Sequence, residues 1–405
     1  MTNIIADVGI IGMGVAGCFA SYKLSSDHPK MKIITFDLGK KFLKRKQQTI
    51  GALGCLPDGD GKLFLNDLNK VADITGLRKA KKAFTGVKNI LSQIDDFKVV
   101  KDRSPSAGLE KKLKKFEYDI STNNHIQMYP KQIHLLSKYF AGQLDINKNV
   151  ICHFDTEVER VVKQKGVFII TTDEGEYRCK KLIIAAGRSG WRWSNELYKN
   201  FGIIEENDTA RFGVRIELNS NIMKDFNRSG CTLTKSNDIE IGPLGWYGSM
   251  IPEDHLDHAI SAFRSNEGRW KTDKVSFNLI GNRPFPNTGF EQTDRIAKLT
   301  FLLSNDRIIK ERVSSIMNGR SKISILPEYD WIKDAIANFS KIIPEIATKA
   351  YYYIPTIMPL CSKISLEEDL ETDINGMYAV GESTSNSGIL TAAMTGLIAA
   401  DSVCK

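Results

Sequence analysis

An apolar strand, Val8 to Ile11, runs into glycines at positions 12, 14 and 17, and a second apolar strand, Met31 to Asp37, closes on an acid. This order of parts is the nucleotide-binding βαβ unit. Gly12 allows the tight turn, Gly14 lets backbone approach a diphosphate, and Gly17 lets the helix pack on the strand. The intervening stretch Val15 to Leu24 reads as a helix that stops before Pro29. Its N-terminal N–H groups and dipole favour an anion, and Asp37, twenty residues past Gly17, is placed to hydrogen-bond a ribose. With 31 Gly in 405 residues, roughly 0.2 matches to such a string arise by chance. The strand before it, the helix within it and the acid after it are what give it weight.

The length allows two to three domains, and 42% hydrophobic residues is ordinary for a globular protein. No stretch reaches eighteen uninterrupted apolar residues. The nearest, Gly388 to Ala400, reads as a buried helix, so no membrane partner is expected. The apolar N-terminal residues lead straight into the glycine turn and are read as fold, not as a signal peptide. Seven cysteines lie scattered without CxxC or CxxH spacing, which suits a reduced, cytoplasmic setting and predicts no metal site. The net charge of +8 collects in Lys40 to Lys46, Arg78 to Lys82 and Lys111 to Lys115. Solvated faces explain such runs, and a polyanionic partner such as nucleic acid is the alternative.

Along the chain, the glycine-rich loop Gln47 to Phe64 gives way to a charged, helical-looking stretch. Nucleotide-domain character returns with a helix at Lys131 to Leu144, a strand at Val150 to Phe154, a hairpin-like pair, and the strand Lys181 to Ala186 ending at Gly187. From about Ala210 the pattern alternates, with Phe212, Val214, Ile216 and Leu218 on one face and Arg211, Arg215 and Glu217 on the other. The last residues revert to strand, glycine and a helix from about Ile389 to Val403. The expected fold class is α/β, a discontinuous Rossmann-like dinucleotide-binding domain with a β-rich α+β substrate domain. Its parts are 1–65, 125–209 and 355–405 for the cofactor, 66–124 as a helical basic insertion, and 210–354 for substrate.

One βαβ unit does not tell NAD from FAD, but the C-terminal segment does. In a flavin fold the chain returns to set a second strand and helix beneath the same dinucleotide, and YAVGESTSNSGILTAA supplies those parts. Backbone N–H groups of Ser387, Gly388 and Ile389 would then face the edge of the flavin that gains negative charge. Here the chain resembles the FAD-dependent oxidoreductases of the glutathione reductase superfamily, and more closely a branch of largely uncharacterised bacterial and archaeal FAD-dependent dehydrogenases. The resemblance rests on VGIIGMGVAG, GALGCLPDGDGKL, LIIAAGRSGWRW followed by RFGVRIEL, and GMYAVGESTSNSGILTAAMTGLIAA. It implies contacts to the ADP part from Gly12, Gly14, Val15, Ala16, Gly17, Asp37 and Leu38, with Val158, Ala186 and Gly187 beside them. It further implies Gly54 and Lys62 along the cofactor, and Gly381, Glu382, Ser387, Gly388 and Ile389 at the flavin. Glu382 departs from the pattern, since the family usually carries Asp there.

The chemistry that follows is hydride transfer between flavin and a small or tethered substrate, by a dehydrogenase or an oxidase. A flavoenzyme acting on nucleic acid and a non-catalytic FAD protein remain the alternatives. No second glycine fingerprint appears, so no separate NAD(P)H domain is expected. Trp191 and Trp193 resemble the Trp pair of flavin-dependent halogenases but lack its Ile-Pro, and read as packing. No residue announces itself as the base; the weak candidates are Cys55, Lys62, Arg215 and Tyr353. His255 and His258, three apart, would share a face if helical and read as surface residues. Tyr351 and Tyr353 should lie on one strand face and Tyr352 on the other. Oligomeric state is left open.

Overall fold

A computed structural model describes residues 5–44, 50–203, 205–236, 238–255, 257–358 and 363–405. Arg45, Lys46, the start of the glycine-rich loop (47–49) and Cys361 lie outside the described residues. The chain forms two compact units, Met1–Lys98 with Ile126–Glu206 and Leu360–Lys405, and Val99–His125 with Asn207–Pro359. The charged stretch 66–124 is shared between them.

The first unit begins with β1 (Ile5–Ile11), α1 (Val15–Asp27) and β2 (Ile33–Asp37), followed by β3 (Lys62–Phe64), α2 (Asp67–Thr75) and α3 (Leu77–Ser92). It continues with α4 (Pro130–Ile146), β4 (Val150–Phe154), β5 (Val158–Gln164), β6 (Val167–Thr172), β7 (Gly175–Ile184) and α5 (Trp191–Phe201). The strand order is β4-β2-β1-β7-β6-β5, with the first four parallel and the β5–β6–β7 meander antiparallel. Parallel neighbours need a crossover, and α1 supplies it between β1 and β2. Both faces of this sheet are covered, which is why its central strands are apolar runs without alternation. Ile33 and Ile183 pack into one core with Phe19, Leu136 and Phe140. Ile34, Phe36, Leu182 and Ile184 pack into another with Leu197 and Tyr198 of α5.

The second unit is built on β8 (Thr209–Asn219), flanked antiparallel by β9 (Lys274–Pro284) and β11 (Tyr351–Ile357), with β10 (Ile309–Arg312) beyond β11. Its apolar side, Val214, Ile216, Leu218, Phe277 and Leu279, packs on α6 (Tyr329–Ser340) and neighbouring turns through Ile332, Ile336 and Phe339. Tyr352 is buried on that side, where its hydroxyl meets Ser321 Oγ at 2.6 Å and donates to Glu311 Oε2 at 2.5 Å. Burial alone would raise the Glu311 carboxyl, but hydrogen bonds from Tyr352, Ser321, the Lys322 backbone N–H and Ser315 together hold the group below its ordinary value. Tyr351 and Tyr353 take the opposite side, as the alternation requires.

The chain then returns to the first unit as β12 (Met377–Ala379), parallel to β7, and α7 (Ile389–Ser402). The α1 and α7 backbones touch directly, since a Cβ on Gly396 would lie 2.3 Å from the Ala16 carbonyl oxygen. Gly396→Val should therefore lower unfolding stability by at least about 1–3 kcal/mol in urea titrations. Gly142 in α4 has nothing within 4 Å of a built Cβ. Gly142→Ala should raise stability by about 0.5–1 kcal/mol in the same assay.

Candidate cofactor site

The site grows from the turn between β1 and α1. Gly12 has φ +97°, and a Cβ there would lie 2.2 Å from the Ala185 carbonyl oxygen at the end of β7. A Cβ on Gly17 would lie 1.9 Å from the Gly12 carbonyl oxygen. Both positions are closed to any other residue. Gly14 differs, because a Cβ there meets only the Gly54 backbone, at 4.0 Å. The glycine-rich loop is tied to the turn by Leu53 N–H donating to the Met13 carbonyl at 2.8 Å. Gly14 caps α1 without a side-chain acceptor, and no acid stands in the first turn. The free N–H groups thus face a cradle lined by two glycines, which fits a diphosphate.

Asp37 ends β2 with 8% exposure. Its Oδ2 accepts from Met13 N–H at 2.7 Å and its Oδ1 from Gly39 N–H at 2.8 Å. The carboxylate is thereby fixed at the end of β2, where this fold class places its ribose contact. Beside it, Ala186 and Gly187 (φ +63°) follow β7, Val158 is buried at the start of β5, and Leu38 is exposed.

The C-terminal segment converges on the same helix. A Cβ on Gly381 would lie 3.2 Å from Ala16 Cβ, and Gly381 N–H donates to Thr395 Oγ1 at 2.9 Å. Glu382 receives Arg188 Nη2 at 3.0 Å, both side chains mostly buried. The extra methylene relative to Asp is thus used to reach a guanidinium.

At the α7 N-terminus, Gly388 has φ +137°, and a Cβ there would lie 2.2 Å from Asp67 Oδ2. Asp67 is 1% exposed at the start of α2, paired with Lys70 Nζ at 2.8 Å, and that ammonium also donates to the Ser387 carbonyl at 3.1 Å. Burial pushes the Asp67 carboxyl up, while Lys70 and the Thr391 amide and hydroxyl pull it down. The sequence reading passed over Asp67 and Lys70 because they open a charged helical run. The available signal was an acid in a helix's first turn with a lysine three residues on.

Lys62, on β3, is 9% exposed, and Cys55 is half-buried in the glycine-rich loop. Arg215 and Tyr353 belong to the second unit, directly opposite each other on β8 and β11. Trp191 is buried, and Trp193 packs partly buried against the core that holds Leu197 and Tyr198. The histidines require a correction. His258 is buried and His255 half-buried at the end of a hairpin, not exposed on a helix, with their side chains only 3% and 5% exposed and the rings stacked 5.1 Å apart. His255 N–H donates to the His258 carbonyl across the turn, which sets their spacing. Asp257, His258 and Asp294 cluster there, and Lys298 neutralises both carboxylates at 2.9 and 3.0 Å. On the helix Ala107–Lys115, Lys111, Lys114 and Lys115 are exposed, while Lys112 donates to the Ile342 carbonyl at 2.6 Å.

The fold is of the Rossmann type, and the glycine turn fits a nucleotide. Residues 7–224, more than half of the chain, match the family described as glucose inhibited division protein A, and the chain belongs to that family. Its cofactor is FAD, and it is a FAD-dependent enzyme. No curated protein matches the chain. Among solved structures it is similar to glycine oxidase from Geobacillus kaustophilus, at 11% identity and TM-score 0.47 over 98% of this chain and 94% of that one. It is likewise similar to L-proline dehydrogenase from P. horikoshii, at 13% identity and TM-score 0.47 over 99% and 93%. No helix among the described residues is long and apolar enough to cross a membrane.

Gly14→Val should fold yet retain at least about tenfold less FAD, because the side chain would occupy the diphosphate cradle, whereas Gly17→Val should fail to fold. Visible absorbance of the purified proteins separates the two. Lys70→Met should cost about 1–3 kcal/mol by leaving the Asp67 carboxylate buried without its ammonium, and Asp67→Asn combined with Lys70→Met should recover most of it. Chemical denaturation of the four proteins of the cycle measures this.

Proposed function

We propose that the chain is a FAD-dependent dehydrogenase or oxidase of the glutathione reductase superfamily, acting on a small or tethered organic substrate held by the second unit. The observation that carries this reading is the return of the C-terminal segment. It places β12 beside β7, and against α1 the Gly381 turn and α7, whose N-terminus is held by Asp67 and Lys70. A protein that only held the ADP portion would have no use for this second helix terminus aimed from the same unit.

FAD, when bound, supplies a hydride acceptor. The chain's residues do the positioning. The α1 N–H groups bind the diphosphate, Asp37 orients the ribose, and the α7 N-terminal amides favour negative charge at the far end of the cofactor. Cys152, Cys179, Cys231 and Cys404 are free thiols, which supports a cytoplasmic setting. Burial raises the Cys179 thiol to about 12 and the Cys231 thiol to about 11, so neither is a nucleophile at neutral pH.

Anaerobic titration of the holoprotein with amines, hydroxy acids, NADH and NADPH, followed at the visible flavin band, tests the reading. Bleaching by an organic substrate alone is expected. Bleaching by NADH or NADPH alone would replace the reading with a reductase or monooxygenase, and a flavin reduced by none of these would favour a non-catalytic FAD protein.

A further inference from the structure

The polar side of the second unit's sheet is a two-by-three grid of side chains. Arg215 on β8 stands opposite Asn278 on β9 and Tyr353 on β11. Two residues along, Glu217 stands opposite Ser276 and Tyr351 in the same way. Directly opposed residues of antiparallel strands point to the same side, so all six share one face.

Two of the six carry unmet demands. Ser276 is 1% exposed and its hydroxyl has no hydrogen-bond partner, and the Asn278 side-chain carbonyl is also buried without one. The same sheet shows how such a pair is satisfied internally. Arg211 stands opposite Asn282, its Nε donates to Asn282 Oδ1 at 2.8 Å, and its Nη2 donates to Glu240 at 2.9 Å. Arg215 and Asn278 repeat that pairing four residues on, and there the amide oxygen is left over. Buried polar groups are rarely left so unless a ligand or water completes them.

The charges give the ligand its character. Arg215 offers a planar fork of donors suited to a carboxylate. Glu217 accepts one bond, from the Tyr353 hydroxyl at 2.8 Å, and a carboxylate has room for more. The two residues are separated by two strand rises, about 7 Å, with opposite charge. Lys310 lies over the Tyr351 and Tyr353 rings at 5.0 and 5.2 Å, fixing them as a wall on one flank. Extending the oxidoreductase reading, on which it rests, we propose that this face binds a small amino carboxylate. Its carboxylate would lie on Arg215 and its amine against Glu217, with Ser276 and Asn278 taking the remaining hydrogen bonds.

Thermal unfolding of the FAD-loaded protein tests this without turnover. The probes are the twenty L-amino acids and N-methylglycine, set against acetate, propionate, methylamine and ethylamine. At least one amino carboxylate should raise Tm where the single-group compounds at equal concentration do not. Arg215→Met and Glu217→Gln should each weaken its binding at least about tenfold, with Arg215→Lys between wild type and Arg215→Met. Ser276→Ala probes the grid from a neighbouring strand should Arg215→Met fail to retain FAD, and should weaken binding by several fold. Binding undiminished in Arg215→Met and Ser276→Ala, or no amino carboxylate shifting Tm, would overturn the proposal. If the flavin is bleached by an alcohol or simple amine while no amino carboxylate binds, the proposal fails and the oxidoreductase reading stands. Arg215-dependent binding with a flavin that no organic compound bleaches fails the reading and leaves the proposal standing.

Discussion

Backbone touching backbone is the constraint on which the first unit depends. Where Gly17 meets the Gly12 carbonyl and Gly396 meets Ala16, there is no side chain to adjust, so the helix axes are fixed by covalent geometry and van der Waals contact alone. That rigidity sets where the α1 terminus points. A cradle for a doubly charged diphosphate needs its N–H groups held in place before the ligand arrives, because ordering them afterwards would be subtracted from binding.

Asp37 extends the same logic. Its two oxygens, each held by a backbone N–H from a different loop, make this carboxylate part of the fold. As the proposed ribose contact, a buried carboxylate at this point would repel a nucleotide carrying phosphate on the ribose.

Much of this was legible in the sequence because it is local. The strand, glycines, helix and acid of the first forty residues lie within one supersecondary unit, and the alternation from Phe212 to Leu218 states which side of β8 is buried. Tyr352 parted from Tyr351 and Tyr353 for the same reason. What stayed hidden is held together across long separations. Nothing near Asp67 signals that it will be sealed against Gly388, and nothing near Ser276 signals that its hydroxyl will be buried beside Glu217. The histidine pair was misread because a three-residue spacing suits a helix and a tight hairpin turn equally well. Glu382 was legible as a departure, but its partner Arg188 was not, since only the fold brings the two segments together.

The second unit's main segment interrupts the first in the chain, and this has a consequence for how the protein is made. β12 and α7, which complete the sheet and cover α1, are synthesised after the whole of Asn207–Pro359. Until they emerge, the small-residue face of α1 around Ala16 has no partner, and β7 has an open edge where β12 will pair. The intervening unit has its own core and can form while the first waits. Closure of α7 onto α1 is therefore a late, long-range step of folding, and the cofactor cradle is finished only when that step is done.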